Sequence, residues 1–271
     1  MTKEVRKSGG KATSRPIREL IQSGTAEKAP RPQSFAGRCV RLTGEPCQEE
    51  RWPKVKPVDR TWFERPTLQM ARDLLGMLLV HEHADGLTAG RIVEVEAYLG
   101  PHDRAAHSFG GRRTARTEAM FGAPGITYLY RSYGIHVCFD VVSGPVGQPE
   151  AILVRALYPV CGLPLMTRRR GLVPPPDRGP HPRMVTGGPG RLTEALHITM
   201  DLYAHPLWER PLYIAEDPDR PGPFDVAAGP RVGIANAAEA RFYPWRFAID
   251  GHPAVSRPAV RTVVALRPGD R

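Results

Sequence analysis

The stretch GRIVEVEAYL, Gly90–Leu99, constrains the fold of this chain more than any other segment. It alternates with the period of two expected of a β-strand. Val93, Val95, Ala97 and Leu99 share one face, and Ile92, Glu94, Glu96 and Tyr98 share the other. The first face is wholly apolar and belongs against a core. The second sets two carboxylates and a tyrosine in a row, and on pattern alone a solvated sheet face is the better reading of it.

Other segments fill in a sheet around this strand. Thr67 can cap a helix running to about His81, with Leu68, Ala71, Leu74, Leu75, Leu78 and Leu79 at helical spacing. Pro124-Gly125 introduces a hairpin of Ile126–Arg131, a turn near Tyr133-Gly134, and Ile135–Val142. Ala151–Leu157 reads as a buried strand, Leu192–His197 as a short helix, and Arg231–Ala235 and Trp245–Ile249 as late strands. Pro174–Pro182 reads as a surface loop. Strands dominate and helices are scattered, which predicts a single α+β domain over residues 61–271 with a largely antiparallel sheet.

The hydrophobic fraction of 41% can supply the core of such a domain. No run approaches eighteen apolar residues, so no membrane span is expected. The basic start MTKEVRKSGGKATSRP lacks an apolar stretch, so no secretory signal is expected either. Cys39, Cys47, Cys138 and Cys161 show no CxxC spacing, which argues against a zinc ribbon or a disulfide framework. The net charge is +10, of which residues 1–60 carry +7 and the rest +3. Residues 1–60 are rich in Pro, Gly, Ser and charge, and read as a disordered basic tail with a short helix around Pro16–Gln22. A solvated extension is the simpler account of it; the alternative is a basic arm that neutralises nucleic-acid phosphates. All six lysines lie within it, so no Schiff-base lysine is available beyond residue 60.

Several side chains could carry chemistry. Glu96 and Tyr98 enter the same space, as a water-activating carboxylate and a purine-stacking ring would. Tyr128 and Tyr130 share a strand face, where packing is the usual role, whereas Tyr133 falls at a hairpin tip and could wedge into a base stack. Arg112, Arg113, Arg116 and Arg168–Arg170 are candidate phosphate contacts or plain solvated charges. Arg155 interrupts the apolar run AILVRAL and requires a buried partner, Glu96 or another carboxylate. His81-Glu-His83 lacks the HExxH spacing of a metal site, no phosphate-loop or nucleophile-elbow signature is present, and Cys138 reads as a buried structural thiol.

Together the segments ARDLLGMLLV, GRIVEVEAYLGPHDRAAHSFGGR, MFGAPGITYLYRSYGIHVCFDVV, ILVRALYP, GGPGRLTEAL and RVGIANAAEA…PWRFAIDGHPAVSR resemble the alkyladenine (methylpurine, 3-methyladenine) DNA glycosylase family. The likeness runs from about Leu68 to Arg257. It implies a fold like the C-terminal domain of formyltransferases, with a curved sheet and a protruding, DNA-inserting hairpin. It further implies a monomeric repair enzyme, cytoplasmic with the chromosome or nuclear in a eukaryote, that needs no metal or cofactor. Its substrate would be double-stranded DNA containing alkylated or deaminated purines, and water its nucleophile.

The resemblance assigns Glu96 as general base and Arg155 as the arginine that helps hold water and nucleotide. It places Tyr98, His107 and Tyr130 around the flipped purine and Tyr133 in the vacated stack. Arg112, Ile135, His136 and Arg170 fall where family members touch DNA. Asp140 departs from the pattern, standing where an asparagine is common at the floor of the base pocket. An ionised Asp accepts only, which predicts a bias toward charged alkylpurines and weaker or altered excision of hypoxanthine. The other readings are a non-catalytic nucleic-acid-binding module on the same fold, and a metal-dependent hydrolase using His81 and His83.

Overall fold

The computed structural model describes Trp52, residues 55–174, 179–220 and 222–260, and the backbone of 264–266. The tail up to residue 51 and the helix expected around Pro16–Gln22 lie outside the described residues.

The architecture is mixed α/β, with all ladders of one nine-stranded sheet antiparallel. A 3-10 turn at Arg60–Phe63, capped by Asp59, leads into α1 (Thr67–Asp73), which buries Met70 and Ala71. The helix does not reach His81. It stops before Gly76, whose φ of +86° is a left-handed conformation, and Leu78–His83 becomes strand β1. Two-sided burial explains the misleading leucine spacing. Leu79 joins the main core, while Leu78 and Val80 pack into a second cluster with Tyr213 and Ala215 on the opposite face. β1 lies between β2 (Gly86–Tyr98) and β6 (Leu212–Ala215).

β2 is the spine. It pairs along nearly its whole length with β5 (Glu150–Cys161), with a break in register at Val93, and near its end with β8 (Arg246–Ile249). Beyond β5 come β4 (His136–Ser143) and β3 (Thr127–Ser132). On the other side β8 is followed by β7 (Val226–Gly229) and β9 (Val264–Leu266). Pro124-Gly125 turns the chain into β3 at φ +88°, with the Gly125 Cα against the Phe63 ring, where a Cβ would sit 2.5 Å from ring carbons. Helices α2 (Leu163–Arg169), α3 (Pro182–Thr186) and α4 (Pro189–Leu196) bury Met166, Val185, Leu192, Ala195 and Leu196 in the main core. Of the expected loop Pro174–Pro182, residues 175–178 lie outside the described residues, and Pro182 already opens α3.

Four further expectations are corrected. The Glu94/Glu96 face of β2 is not solvated, since both side chains are fully buried. Arg231–Ala235 is not a strand: the Val232 N–H goes to the Glu96 carboxylate and Gly233 turns at φ +79°, so no ladder forms. His81 and His83 lie on β1 rather than at a helix end; His81 Nδ1 is 2.7 Å from the Leu196 carbonyl, and His83 bonds Asp85. Cys138 is free and buried, as expected, whereas Cys161 is disulfide-bonded, which corrects the spacing argument at that position.

Candidate active site

Two carboxylates and two guanidiniums alternate beneath one end of the sheet. Glu94 on β2 accepts from Arg155 Nε on β5 at 2.9 Å and from Arg246 Nε on β8 at 2.8 Å. The Ser256 backbone N–H (2.7 Å) and hydroxyl (2.9 Å) complete its shell. Arg155 turns its remaining edge to Glu96, with Nη1 3.4 Å from Oε1. The sequence question about Arg155 therefore has a double answer: its hydrogen-bonded partner is Glu94, and Glu96 is an ion-pair neighbour. Full satisfaction is what makes so much buried charge tolerable.

Glu96 is held by three donors. Oε1 receives the Val232 N–H at 2.7 Å and faces Arg155, while Oε2 receives the Tyr98 hydroxyl at 2.9 Å. Burial pushes its carboxyl above the ordinary value; Arg155, the Val232 amide and Tyr98 pull the other way, and Glu94 adds a smaller push upward. The loop that supplies Val232 is bolted down by its neighbour. Arg231 forms a buried two-pronged pair with Asp103, donates to the Ala97 carbonyl at 2.7 Å, and lies 4.5 Å from the Tyr98 ring centroid.

In front of this network opens a cleft of about 640 Å³. Tyr98, His107, Tyr130, Asp140 and Arg155 all line it, as do Tyr133 at its rim and the Val232 loop. Glu96 does not reach the cleft surface; it stands one layer behind, bonded to two of the lining groups. The aromatic wall is ordered by contact. Tyr128 and Tyr130 stack at 5.3 Å and 29°, His107 meets Tyr130 edge-on at 4.6 Å, and His107 Nδ1 is 2.9 Å from the Tyr128 hydroxyl. Enclosure, followed by the Arg116 and Arg112 cations, holds the His107 imidazole down at about 4, so it is neutral at pH 7. Arg116 lies 5.2 Å from the Tyr130 ring centroid.

The candidate DNA contacts divide. Tyr133 is 91% exposed at the β3–β4 turn with φ +50°, followed by Gly134 at +72°. Ile135 is 72% exposed, and His136 and Arg112 are also exposed. Arg170 does not join them at the cleft: it ends α2 and is paired with Glu194 on α4. Among the described residues no group of three or more His, Cys, Asp or Glu is arranged to hold a metal ion, and no helix is long and apolar enough to cross a membrane.

Sequence reasoning gave no role to Glu94, Asp103, Arg231, Arg246 or Ser256. The signal used for Arg155, an arginine inside an apolar strand, was equally present at Arg246 in RFAI. Asp103 and Ser256 offered no such signal, because their partners are distant in the chain.

The profile of the methylpurine-DNA glycosylase family matches residues 61–253. A protein of Bacillus licheniformis named "Putative 3-methyladenine DNA glycosylase" is 50% identical over 205 residues, covering 76% of this chain and 99% of that protein. Proteins of the same name from Bacillus velezensis and Bacillus cereus are 46% and 45% identical over 202 and 201 residues, each over 97% of its own length. A match of this extent, spanning β1 to β8 and every side chain of the buried network except Ser256, makes this chain a member of the methylpurine-DNA glycosylase family.

Proposed function

We propose that this protein is a DNA repair glycosylase that takes a damaged purine out of duplex DNA and hydrolyses its N-glycosidic bond. The observation that carries the reading is Glu96, a buried carboxylate held by Arg155, Val232 and Tyr98 directly behind an aromatic cleft. The cleft provides flat rings for a base, and Glu96 provides a proton acceptor. Water brought to the Glu96 carboxylate gives its proton to Glu96 as its oxygen bonds to C1′. The N-glycosidic electron pair leaves with the purine, so an alkylpurine cation departs neutral. An uncharged purine needs a proton as well. Arg155 steadies the carboxylate, and Tyr98, His107 and Tyr130 surround the base.

At the rim of the cleft, Tyr133 is the group we assign to the vacated stack, since packing gives no reason for so exposed an aromatic at a turn. Arg112, Ile135 and His136 are exposed and available to DNA; Arg170 could join them only by giving up Glu194. We assign the chemistry to residues 61–271 of a monomer acting at the chromosome without a metal or cofactor, with residues 1–60 as a basic N-terminal segment that packs against the domain at Trp52, Val55 and Pro57.

Replacing Glu96 by Gln tests the reading. Excision from oligonucleotides bearing alkylated or deaminated purines should fall by about 10³-fold or more while DNA binding stays within about threefold. Retained excision would remove Glu96 as the base. A wild-type chain that binds such DNA but releases no purine would leave a binding module. Activity that is lost in EDTA would favour metal-dependent hydrolysis.

A further inference from the structure

One lining group of the cleft has no partner. Asp140, on β4, is 4% exposed, and its Oδ1 is sealed from solvent without a hydrogen bond. Buried carboxyl groups left unsatisfied are rare, and one in the lining of a ligand cleft points to something the ligand supplies. Its surroundings carry no cation at bonding distance among the described residues. β3 presents Tyr128, its cross-strand neighbour, and Tyr130; β2 presents Glu96 and Tyr98; β4 itself presents Cys138. β5 contributes Leu153 opposite Asp140, and Arg155, whose bonds go to Glu94, Glu96 and Ser256. His107 stands across the cleft.

We propose that Asp140 sorts bases by charge, donating a hydrogen bond as a neutral acid to an uncharged purine and pairing as a carboxylate with a cationic alkylpurine. This deepens the glycosylase reading and rests on it. It also extends the expectation that an ionised Asp140 biases the pocket toward charged alkylpurines, with weaker or altered excision of hypoxanthine. Burial first, and the nearby Glu96 charge second, push the Asp140 carboxyl well above its ordinary value. Entry of a cation reverses that preference and expels a proton to solvent. Entry of an uncharged base retains the proton.

The sign of the pH effect follows. Recognition of a cation strengthens as pH rises, because a proton is released; recognition of an uncharged acceptor weakens as pH rises, because the donor is lost. Glu96 also titrates, but it serves both substrates and cancels in their ratio. His107, at about 4, lies below the working range, and Cys138, at about 11, lies above it, as do the three tyrosines.

The test compares kcat/KM on duplexes carrying 3-methyladenine, a fixed cation, and hypoxanthine, which is uncharged, between pH 5.5 and 8. In the wild type the ratio should rise with pH, by up to about tenfold per unit where one proton is involved. In Asp140→Asn, similar in size and without a titrating group, the ratio should rise less steeply than in the wild type, keeping only the part due to the proton that the uncharged purine needs to depart. A flat wild-type ratio, or a slope unchanged in Asp140→Asn, overturns the inference while leaving the glycosylase reading intact. Release of neither base by the wild type would overturn both, and Glu96→Gln run alongside separates enzymatic release from spontaneous loss.

Discussion

At the scale of single residues, Glu96 as the proposed base has to meet two requirements that pull against each other. A carboxylate kept dry is a stronger base, but dryness also favours its protonated, inactive form. Three neighbours act against the burial: Arg155 as an ion pair, and the Val232 amide and the Tyr98 hydroxyl as hydrogen-bond donors. Tyr98→Phe removes one of the three while keeping the ring. Because that hydroxyl lowers the Glu96 value, its loss leaves the value higher still, so less Glu96 is ionised at any given pH. The acid limb of the excision profile should move to higher pH, and excision on that limb should fall by about three- to tenfold, with recovery at alkaline pH. A pH–rate profile checks this. An acid limb that stays in place would mean that Tyr98 does not tune the base.

At the scale of elements, the β3–β4 hairpin connects the two ends of the proposed reaction. Its inner part carries Tyr130 and Asp140 in the cleft, and its tip holds Tyr133 in the open with two successive left-handed residues. A non-glycine residue in that conformation carries a cost of roughly 1 kcal/mol, which an ordinary turn would avoid by a different residue choice. A wedge role predicts an effect specific to duplex DNA. Tyr133→Ala should lower excision from a duplex by about ten- to a hundredfold, the scale of one lost base–aromatic stack, and from a single strand by less than about threefold. Equal losses on both substrates would show that the tip does not act on the stack.

Legibility in the sequence also divides along elements. β2, β5, α4 and the hairpin could be read because alternation or turn residues marked them. β1 could not, because a strand buried on both faces loses its period and its leucines imitate a helix. The burial of Glu94 was hidden because its four donors come from β5, β8 and the segment at Ser256. Short strands β6, β7 and β9 have too few residues to establish a pattern. The site was legible where resemblance named residues one at a time; the layer behind them, held by long-range contacts, was not.

At the scale of the whole molecule, the distribution of charge separates attachment from chemistry. The cleft, Glu96 and the buried pairs all lie between Val55 and Pro258, while most of the positive excess precedes residue 60. A deletion that asks what the tail does must stop at residue 50, because Trp52 and Val55 are buried against β1 and β6 and Pro57 bridges to Ala215. Removing residues 1–50 takes away ten Lys/Arg and six Asp/Glu, a net +4, and also Cys39 and Cys47, so the two chains are compared under reducing conditions, with Cys161 unbridged in both. Single-turnover excision at saturating enzyme should stay within about twofold of the full chain, because no assigned group is lost. The salt dependence of DNA binding then identifies the tail's role. Each phosphate contact made by the tail contributes a slope of about 0.9, so a shallower slope with weaker low-salt binding marks a basic arm, and an unchanged slope marks a solvated extension. A fall in the single-turnover rate itself would instead place a tail group in the reaction. The first suspect would be a lysine amine, since no lysine follows Lys56. Borohydride treatment of the full chain on damaged DNA discriminates directly: with water as nucleophile it should trap no covalent adduct, and a trapped adduct would overturn that mechanism.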